Sequence, residues 1–132
     1  MGVEDLISVP SAHAPGATVE RLTAEIRARG LTVFAEVDHA AGAAAAGLAL
    51  RPTVLVLFGN ARGGTPLMQS AQTLGLDLPL RALVWQDGKG RTWISCHDLA
   101  ELAAFHGVPP ALDSAVDGLS RALGAIIHAA AE

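Results

Sequence analysis

Residues 53–66 read Thr-Val-Leu-Val-Leu-Phe-Gly-Asn-Ala-Arg-Gly-Gly-Thr-Pro, a continuous apolar run that passes into a glycine-rich turn. An apolar run between turn residues is typical of a strand buried on both faces, so Thr53 to Phe58 is predicted to lie centrally in a β-sheet. Thr65 then has the side chain of a helix N-cap, and Pro66 suits the first helical position. This stretch predicts a strand, a tight turn and a helix in succession, and it sets the plan of the fold.

Two further strands, a hairpin and several helices are predicted on either side of this stretch. Alternating side chains indicate strands over 3–9, ending at Pro10, and over 31–38, where the odd-numbered residues share the buried side. Residues 80–86 and 91–97 flank Asp-Gly-Lys-Gly, which is a strong β-hairpin signal. Helices are predicted from a cap at Thr18, over Ala40 to Ala46, from Thr65, from a capping box at Asp98 and Glu101, and over the C-terminal residues that carry Val116, Leu119, Leu123, Ile126 and Ile127.

The order of these elements indicates the fold class. Strands and helices alternate until the hairpin, and a hairpin late in an alternating chain favours an α+β fold over a doubly wound parallel sheet. We therefore expect a single domain over residues 1–132, with one mixed or antiparallel sheet of about five strands packed against helices. Five larger residues are expected to anchor a core of otherwise small side chains: Phe34, Phe58, Trp85, Trp93 and Phe105.

Charge and cysteine content argue against several classes of function. The net charge is −4 and the nine basic residues are scattered, which argues against a nucleic-acid surface. One cysteine forms neither an internal disulfide nor a zinc-finger ligand set. The N-terminus lacks the pattern of a signal peptide, and no apolar stretch approaches the length of a membrane span. We expect a cytoplasmic domain without a membrane or nucleic-acid partner, and the low charged content of 17% favours a protein interface.

The glycine-rich turn is the first candidate site. Gly59 and Gly64 have the spacing of the glycines in a phosphate-binding loop, but Thr65 and Pro66 stand where that loop needs Lys and then Ser or Thr. Nucleotide hydrolysis is therefore not expected. A strand that leads into a helix N-terminus still presents free amides and a positive dipole end, and Arg62 adds a guanidinium group. The turn is interpreted either as a site for a small anionic ligand or as a plain tight turn.

Asp38 and His39 form the second candidate site, because their side chains suit general-base or metal chemistry. His39 continues the buried side of its predicted strand. Two interpretations therefore stay open: a ligand or catalytic role for His39, and a buried histidine that is bonded to a backbone carbonyl.

The remaining reactive side chains are interpreted as structural. Met68 is expected in the core rather than as a soft metal ligand, because Leu67 and Ala71 share its helical spacing. Cys96 is expected to be inert, since it and the adjacent His97 point to opposite faces of a strand. The sequence therefore predicts no metal site.

Several of these segments together resemble the domain of unknown function family 302. The segments that carry the resemblance are Asp38-His39 with the alanine run after it, Arg51-Pro52, Leu57 to Asn60, Gly64 to Met68, Leu78 to Leu80 and the hairpin from Trp85 to Trp93. They lie between Thr18 and Gly107, and Ala61 is a departure because the family often has proline there. The resemblance implies a small bacterial α+β domain of TATA-binding-protein-like topology that forms a homodimer. It supplies no activity, cofactor or catalytic residue.

The leading hypothesis is a homodimeric domain that binds a small ligand where the turn and His39 converge. The residues proposed for this site are His39, Gly59, Asn60, Arg62, Gly64, Thr65 and Met68. One alternative is an enzyme that uses His39 as general base near Gly59 to Thr65, with Asp38 or Asn60 orienting the substrate. Another alternative is a structural or protein-interaction domain without a ligand site.

Overall fold

The computed structural model describes residues 2–132, which contain five strands and five α-helices. The strands are β1 (Ile7–Ser11), β2 (Thr32–Asp38), β3 (Thr53–Gly59), β4 (Leu80–Gln86) and β5 (Thr92–Cys96). The helices are α1 (Pro15–Ala28), α2 (His39–Ala45), α3 (Ala61–Ser70), α4 (Leu99–Phe105) and α5 (Asp113–Ala131). Short 3-10 helices lie at Val3–Asp5, Gln72–Leu76 and Pro110–Leu112. Within the same residues, none of the helices has both the length and the apolar character that a membrane crossing requires.

The five strands form one antiparallel sheet in the order β1-β5-β4-β3-β2. The α+β prediction is confirmed, and the sheet is antiparallel throughout. β4 is the middle strand, whereas β1 and β2 form the two edges. The apolar run in β3 therefore lies next to the middle, with β4 on one side and β2 on the other.

Two local signals in the sequence produce the structures that they predict. β4 and β5 form the hairpin, and Asp87 Oδ1 accepts hydrogen bonds from the backbone N–H groups of Lys89 and Arg91 at 2.9 and 3.0 Å. α4 starts directly after Asp98, whose carboxylate accepts a hydrogen bond from the Ala100 N–H at 2.9 Å. In both places a short acidic side chain satisfies backbone donors that would otherwise have no partner.

α1 and α5 pack against one face of the sheet and bury it. From the helices, Leu22, Ile26 and Ile126 are completely buried at this face. They meet strand residues that are also completely buried: Val56, Phe58, Ala82, Val84 and Ile94. Burial of a Leu, Ile, Val or Phe side chain contributes about 1.5–3 kcal/mol, so this contact holds the two layers together. A smaller cluster joins Leu67 and Leu74 to α4 and α5.

β2 departs from the predicted alternation because of a bulge. The register passes directly from Val33 to Ala35, which leaves Phe34 as an extra residue. Because side chains alternate along a strand, Val33 lies on the helix side whereas Ala35 and Val37 lie on the other face. The prediction that the odd-numbered residues share one buried side is therefore wrong. β2 is also an edge strand, and Val37 is 40% exposed.

The aromatic residues divide into a buried one and four that are not. Only Phe58 among the five expected anchors is completely buried, and Trp85 and Trp93 are half-buried. Phe34 and Phe105 are 56% and 75% exposed, so their assignment to the core is wrong. Leu, Ile and Val side chains fill most of the core in their place.

The first two elements also differ from the prediction. β1 continues through Pro10 to Ser11, because an edge strand tolerates a residue without a backbone N–H. α1 starts at Pro15, whose fixed φ and missing N–H suit the first helical position. Thr18 lies inside α1, completely buried, and its hydroxyl donates a hydrogen bond to the Ala14 carbonyl at 2.9 Å.

Gly118 and Gly30 give opposite predictions for stability. Gly118 lies within α5, where an added Cβ meets no heavy atom within 4 Å. Gly118→Ala is therefore expected to raise the free energy of unfolding by about 0.5–1 kcal/mol, because alanine is the better helix former. Gly30 follows α1 with a φ of 75°, so Gly30→Ala is expected to lower it by about 1 kcal/mol. Urea unfolding followed by circular dichroism measures both, and changes of the same sign would contradict the prediction.

Candidate functional site

A cavity of about 780 Å³ lies at the corner where β3 passes into α3. One wall is the continuous stretch Gly59 to Thr65, joined by Met68. The other walls are mostly apolar side chains: Leu31, Phe34, Leu57, Leu78, Pro79, Leu80, Leu119 and Ala122. The cavity therefore has polar groups on one side and apolar walls on the others.

α3 begins at Ala61, directly after the strand, and Asn60 is its N-cap. Asn60 Oδ1 accepts a hydrogen bond from the Gly63 N–H at 2.8 Å. The prediction that Thr65 caps this helix is wrong, because Asn60 is the N-cap; asparagine is the better capping residue, and Asn60 comes first after β3. The glycine-rich stretch is consequently the first turn of a helix rather than a separate loop.

Backbone groups in this first turn keep hydrogen-bonding capacity at the cavity wall. The N–H groups of Ala61 and Arg62 have no acceptor within α3, as at any helix start. The Arg62 carbonyl also lacks its helical partner, because Pro66 has no N–H. The positive end of the helix dipole and the exposed Arg62 side chain add positive charge here. The N–H donors and the positive charge on this side of the cavity suit an anionic group, whereas the Arg62 carbonyl is an acceptor and does not.

Gly63 and Gly64 leave space along this wall that a side chain would take from neighbouring side chains. An added Cβ on Gly64 would lie 3.2 Å from Leu78 Cδ1 and 3.6 Å from Met68 Cε. One on Gly63 would lie 2.9 Å from Leu119 Cδ2. The absence of side chains at these two positions keeps the start of α3 accessible from the cavity.

The structure brings six of the seven proposed ligand residues to this cavity. They are Gly59, Asn60, Arg62, Gly64, Thr65 and Met68. Sequence reasoning placed them together because they are close along the chain. Its proposal did not include the apolar walls, which come from β2, β3, β4, α5 and the segments just before β2 and β4.

His39 lies elsewhere, exposed at the start of α2. In the antiparallel pair of β2 and β3, Thr32 lies opposite Gly59 and Asp38 lies opposite Val54. Five residues of strand, roughly 16 Å, therefore separate the His39 end of the pair from the turn. The expectation that His39 lies on a buried side is wrong because α2 has already begun there. The general-base hypothesis loses the neighbouring site on which it depends.

Asp38 has a structural role in the same helix start. Its Oδ1 accepts a hydrogen bond from the Ala41 N–H at 2.9 Å, which caps α2. α2 begins at His39 rather than at Ala40. Asp38 is therefore the N-cap of α2, and His39 is its first residue.

A hydrogen-bonded cluster of Thr73, Asp77 and His106 escaped the sequence analysis. His106 Nδ1 lies 2.9 Å from Thr73 Oγ1, and His106 Nε2 lies 2.5 Å from Asp77 Oδ2. The partners are 33 and 29 residues from His106, so no spacing signal links them. A hydroxyl, an imidazole and a carboxylate in series can activate a nucleophile, but Thr73 and His106 do not line the cavity. The cluster joins the 3-10 helix Gln72–Leu76 to the end of α4.

Cys96 is buried on the helix side of β5, and His97 is exposed beyond the strand end. Burial raises the pKa of the Cys96 thiol to about 11, and the negative charge of Asp98 adds to this rise. The interpretation of Cys96 as a core residue is confirmed. Among residues 2–132, no group of three or more His, Cys, Asp or Glu side chains is arranged to hold a metal ion.

The raised pKa predicts slow thiol chemistry at Cys96. At pH 8 a thiol with a pKa near 11 is about 0.1% thiolate, against about 10% for a pKa near 9, and only the thiolate reacts. The folded protein is therefore expected to react with a disulfide reagent at least about a hundredfold more slowly than the protein in urea. The rate should rise with pH until about 11. Absorbance of the released thiol measures the rate, and equal rates in the two states would contradict the prediction.

Fold and cavity together define an α+β domain with a ligand-sized cavity at a strand-to-helix corner. This chain belongs to the family described as domain of unknown function DUF302, whose family model matches residues 7–128. A solved structure of an uncharacterized conserved protein of this family from Bacillus stearothermophilus has the same fold, with a TM-score of 0.85 at 20% identity. The match covers 96% of this chain and 98% of that chain. The resemblance in sequence is confirmed.

Longer proteins from Brucella are also similar to this chain. A protein of Brucella suis biovar 1 named fluoride-specific ion channel FluC 1 is 44% identical over 126 residues, which are 96% of this chain and 50% of that protein. Fluoride-specific ion channel FluC 2 of Brucella melitensis biotype 1 has the same identity over 47% of its length. The chain spans about half the length of the curated relatives it matches.

Proposed function

We propose that this protein is a homodimeric binding domain whose ligand is a small organic molecule with an apolar body and one anionic group. The observation that carries the proposal is the cavity of about 780 Å³ with polar groups on a single side. Cavities of about 300–1,000 Å³ with mainly apolar walls and a few convergent polar groups are typical of small-molecule sites. The size and the distribution of polarity thus fit such a ligand.

The anionic group would lie at the start of α3. A buried carboxylate or phosphate needs hydrogen-bond donors to replace water, and the free N–H groups of Ala61 and Arg62 are such donors. The Thr65 hydroxyl and the Arg62 guanidinium group lie on the same wall. The apolar body would then contact Leu57, Leu78 and the other apolar walls.

Fluoride, which the name of the Brucella proteins suggests, is a poor match for this cavity. A compact halide ion is strongly hydrated, and it needs donors on all sides to compensate for lost water. Donors lie on one wall here, and the remaining space would stay empty or filled with water. Fluoride therefore serves as a negative control in the binding experiment.

The homodimer is supported by apolar side chains on the surface. Among the described residues, exposed large apolar side chains include Phe34, Val37, Leu48 and Leu50, and all four belong to the segment between β2 and β3 or to β2 itself. Exposed large apolar side chains in one segment of the chain favour an interaction surface there. Since β2 is an edge strand, this part of the molecule is accessible to a partner.

Filling the cavity should abolish ligand binding. Ala122 lines the cavity from α5, whereas Ala125 is exposed on the same helix. Ala122→Trp is expected to weaken decanoate binding at least about tenfold because the indole occupies the ligand's space, and Ala125→Trp should leave it unchanged. Isothermal titration calorimetry with decanoate measures the affinity. Native mass spectrometry of protein from its own host shows whether a ligand is already bound. No binding of decanoate, or equal effects of both variants, would contradict the proposal.

Removing the Arg62 charge should weaken the binding only of ligands that carry an anionic group. Arg62→Gln is expected to weaken decanoate binding about three- to tenfold, because a charge-assisted contact of about 1 kcal/mol is lost. Binding of decan-1-ol, which has the same apolar body without the charge, should not change. Arg27→Gln, an exposed arginine of α1, is the matched control. An equal loss of affinity for the acid and the alcohol would show that Arg62 acts on the fold of the cavity and not on the anionic group.

A further inference from the structure

The cluster of Thr73, Asp77 and His106 lies outside the cavity, and its three side chains form one continuous series of hydrogen bonds. The ring of His106 is in the middle, with Nδ1 2.9 Å from Thr73 Oγ1 and Nε2 2.5 Å from Asp77 Oδ2. An ionised carboxylate only accepts hydrogen bonds, so Nε2 carries the ring proton in the neutral imidazole. Nδ1 then has the free electron pair, which faces the Thr73 hydroxyl group.

Buried leucines fix the 3-10 helix Gln72–Leu76 against α4. Leu74 follows Thr73 in the sequence, and it is buried in the same apolar cluster as Leu102 of α4. The backbone N–H of His106 donates a hydrogen bond to the Leu102 carbonyl at 3.1 Å, which holds the end of α4. Core packing, and not the polar side chains alone, therefore sets the distance between the hydroxyl group and the imidazole.

The two partners in the Thr73–His106 hydrogen bond differ in exposure. The His106 side chain is 5% exposed, whereas Thr73 is exposed, so that a molecule from solution can reach it. An exposed threonine can bond to water instead, so its contact with His106 adds little to the stability of the fold. A hydroxyl group on the surface with a buried base behind it is the arrangement of a nucleophile that reacts with an external substrate.

Two large apolar side chains are exposed beside this hydroxyl group. Leu76 is 77% exposed and lies three residues after Thr73, and side chains at this spacing in a 3-10 helix share one face. Phe105 is 75% exposed, and its ring meets the His106 ring edge-on with the centroids 5.1 Å apart. Within residues 2–132, Val3 is the one large apolar side chain with greater exposure. The surface around Thr73 therefore suits the apolar chain of a substrate.

We propose that Thr73 and His106 are the catalytic residues of an esterase site for apolar carboxylic esters, and that Asp77 positions the His106 ring. Thr73 Oγ1 attacks the carbonyl carbon of the ester and loses its proton to His106 Nδ1. The bond from Oγ1 to the acyl carbon forms, and the bond from that carbon to the alcohol oxygen breaks. The leaving alcohol takes the proton from His106. Asp77 stays ionised beside Nε2 and stabilises the imidazolium that exists between the two proton transfers.

Water completes the reaction in a second acyl transfer. A water molecule attacks the acyl carbon and gives a proton to His106 Nδ1, while Thr73 Oγ1 leaves and takes that proton back. The net reaction converts ester and water into carboxylic acid and alcohol. This activity does not depend on the ligand proposed for the cavity, because Thr73 and His106 do not line it.

The acyl group that Thr73 carries between the two transfers gives the direct test. Acid-quenched wild type is expected to hold one hexanoyl group from 4-nitrophenyl hexanoate, which peptide mass spectrometry locates at Thr73. Thr73→Val keeps the branched shape without the hydroxyl group, and it should slow the release of 4-nitrophenolate at least about a hundredfold. Thr32→Val, at an exposed threonine of β2, is the matched control and should leave the rate unchanged. Equal rates in the wild type and Thr73→Val, or a wild type without hexanoyl at Thr73, would overturn the proposal.

Variants of the other two residues separate their roles. His106→Gln should slow the reaction about as much as Thr73→Val, because the base is lost. Asp77→Asn should lower kcat at least about tenfold with little change of KM, and Asp77→Glu should recover part of the loss, since it again offers a carboxylate to Nε2. Circular dichroism establishes that the variants are folded, and an undiminished kcat in Asp77→Asn would contradict its positioning role. Ala122→Trp should lose decanoate and keep the esterase rate, so failure of the ligand proposal and failure of this one are distinguishable.

Discussion

The hydrogen bond from the Gly63 N–H to Asn60 Oδ1 determines the geometry on which the rest of the site depends. It lets α3 begin one residue after β3 ends, so the glycine-rich stretch becomes a helical turn. Because Gly63 and Gly64 in that turn carry no side chains, space stays open between it and the apolar walls from Leu57 and Leu78. Had the helix begun at Pro66, the same residues would form a loop, and a loop would not direct its amides and a helix dipole to one side of a cavity.

The sequence was most informative where a signal is local. The apolar run of β3, the hairpin and the Asp98 cap all depend on residues a few positions apart, and each formed as expected. Two adequate caps, Asn60 and Thr65, competed for the start of α3. Capping strength favours asparagine over threonine, and the end of β3 at Gly59 also brings Asn60 first. The residues of the polar wall could be named in advance because they are consecutive.

Features that depend on strand order could not be read from the sequence. The strand pattern of β2 suggested a buried side, but whether a strand is an edge follows from long-range pairing. His39 and the turn both follow strands, yet antiparallel pairing sends them to opposite ends of the sheet. His106 likewise meets Thr73 only through the docking of α4 on a distant 3-10 helix. The apolar walls of the cavity likewise come together only through long-range packing, because they belong to segments that are far apart in the sequence.

The bulge at Phe34 determines which side chains of β2 face the solvent side of the sheet. With Phe34 as the extra residue, Ala35 and Val37 extend the apolar row of Leu57 and Leu55, and Glu36 and Asp38 fall on the helix side. If Phe34 were paired in regular register instead, the pattern would be exchanged, and the carboxylates of Glu36 and Asp38 would stand on the face opposite α1 and α5. The shape of the main-chain, and not the choice of side chains alone, keeps this margin of the sheet uncharged.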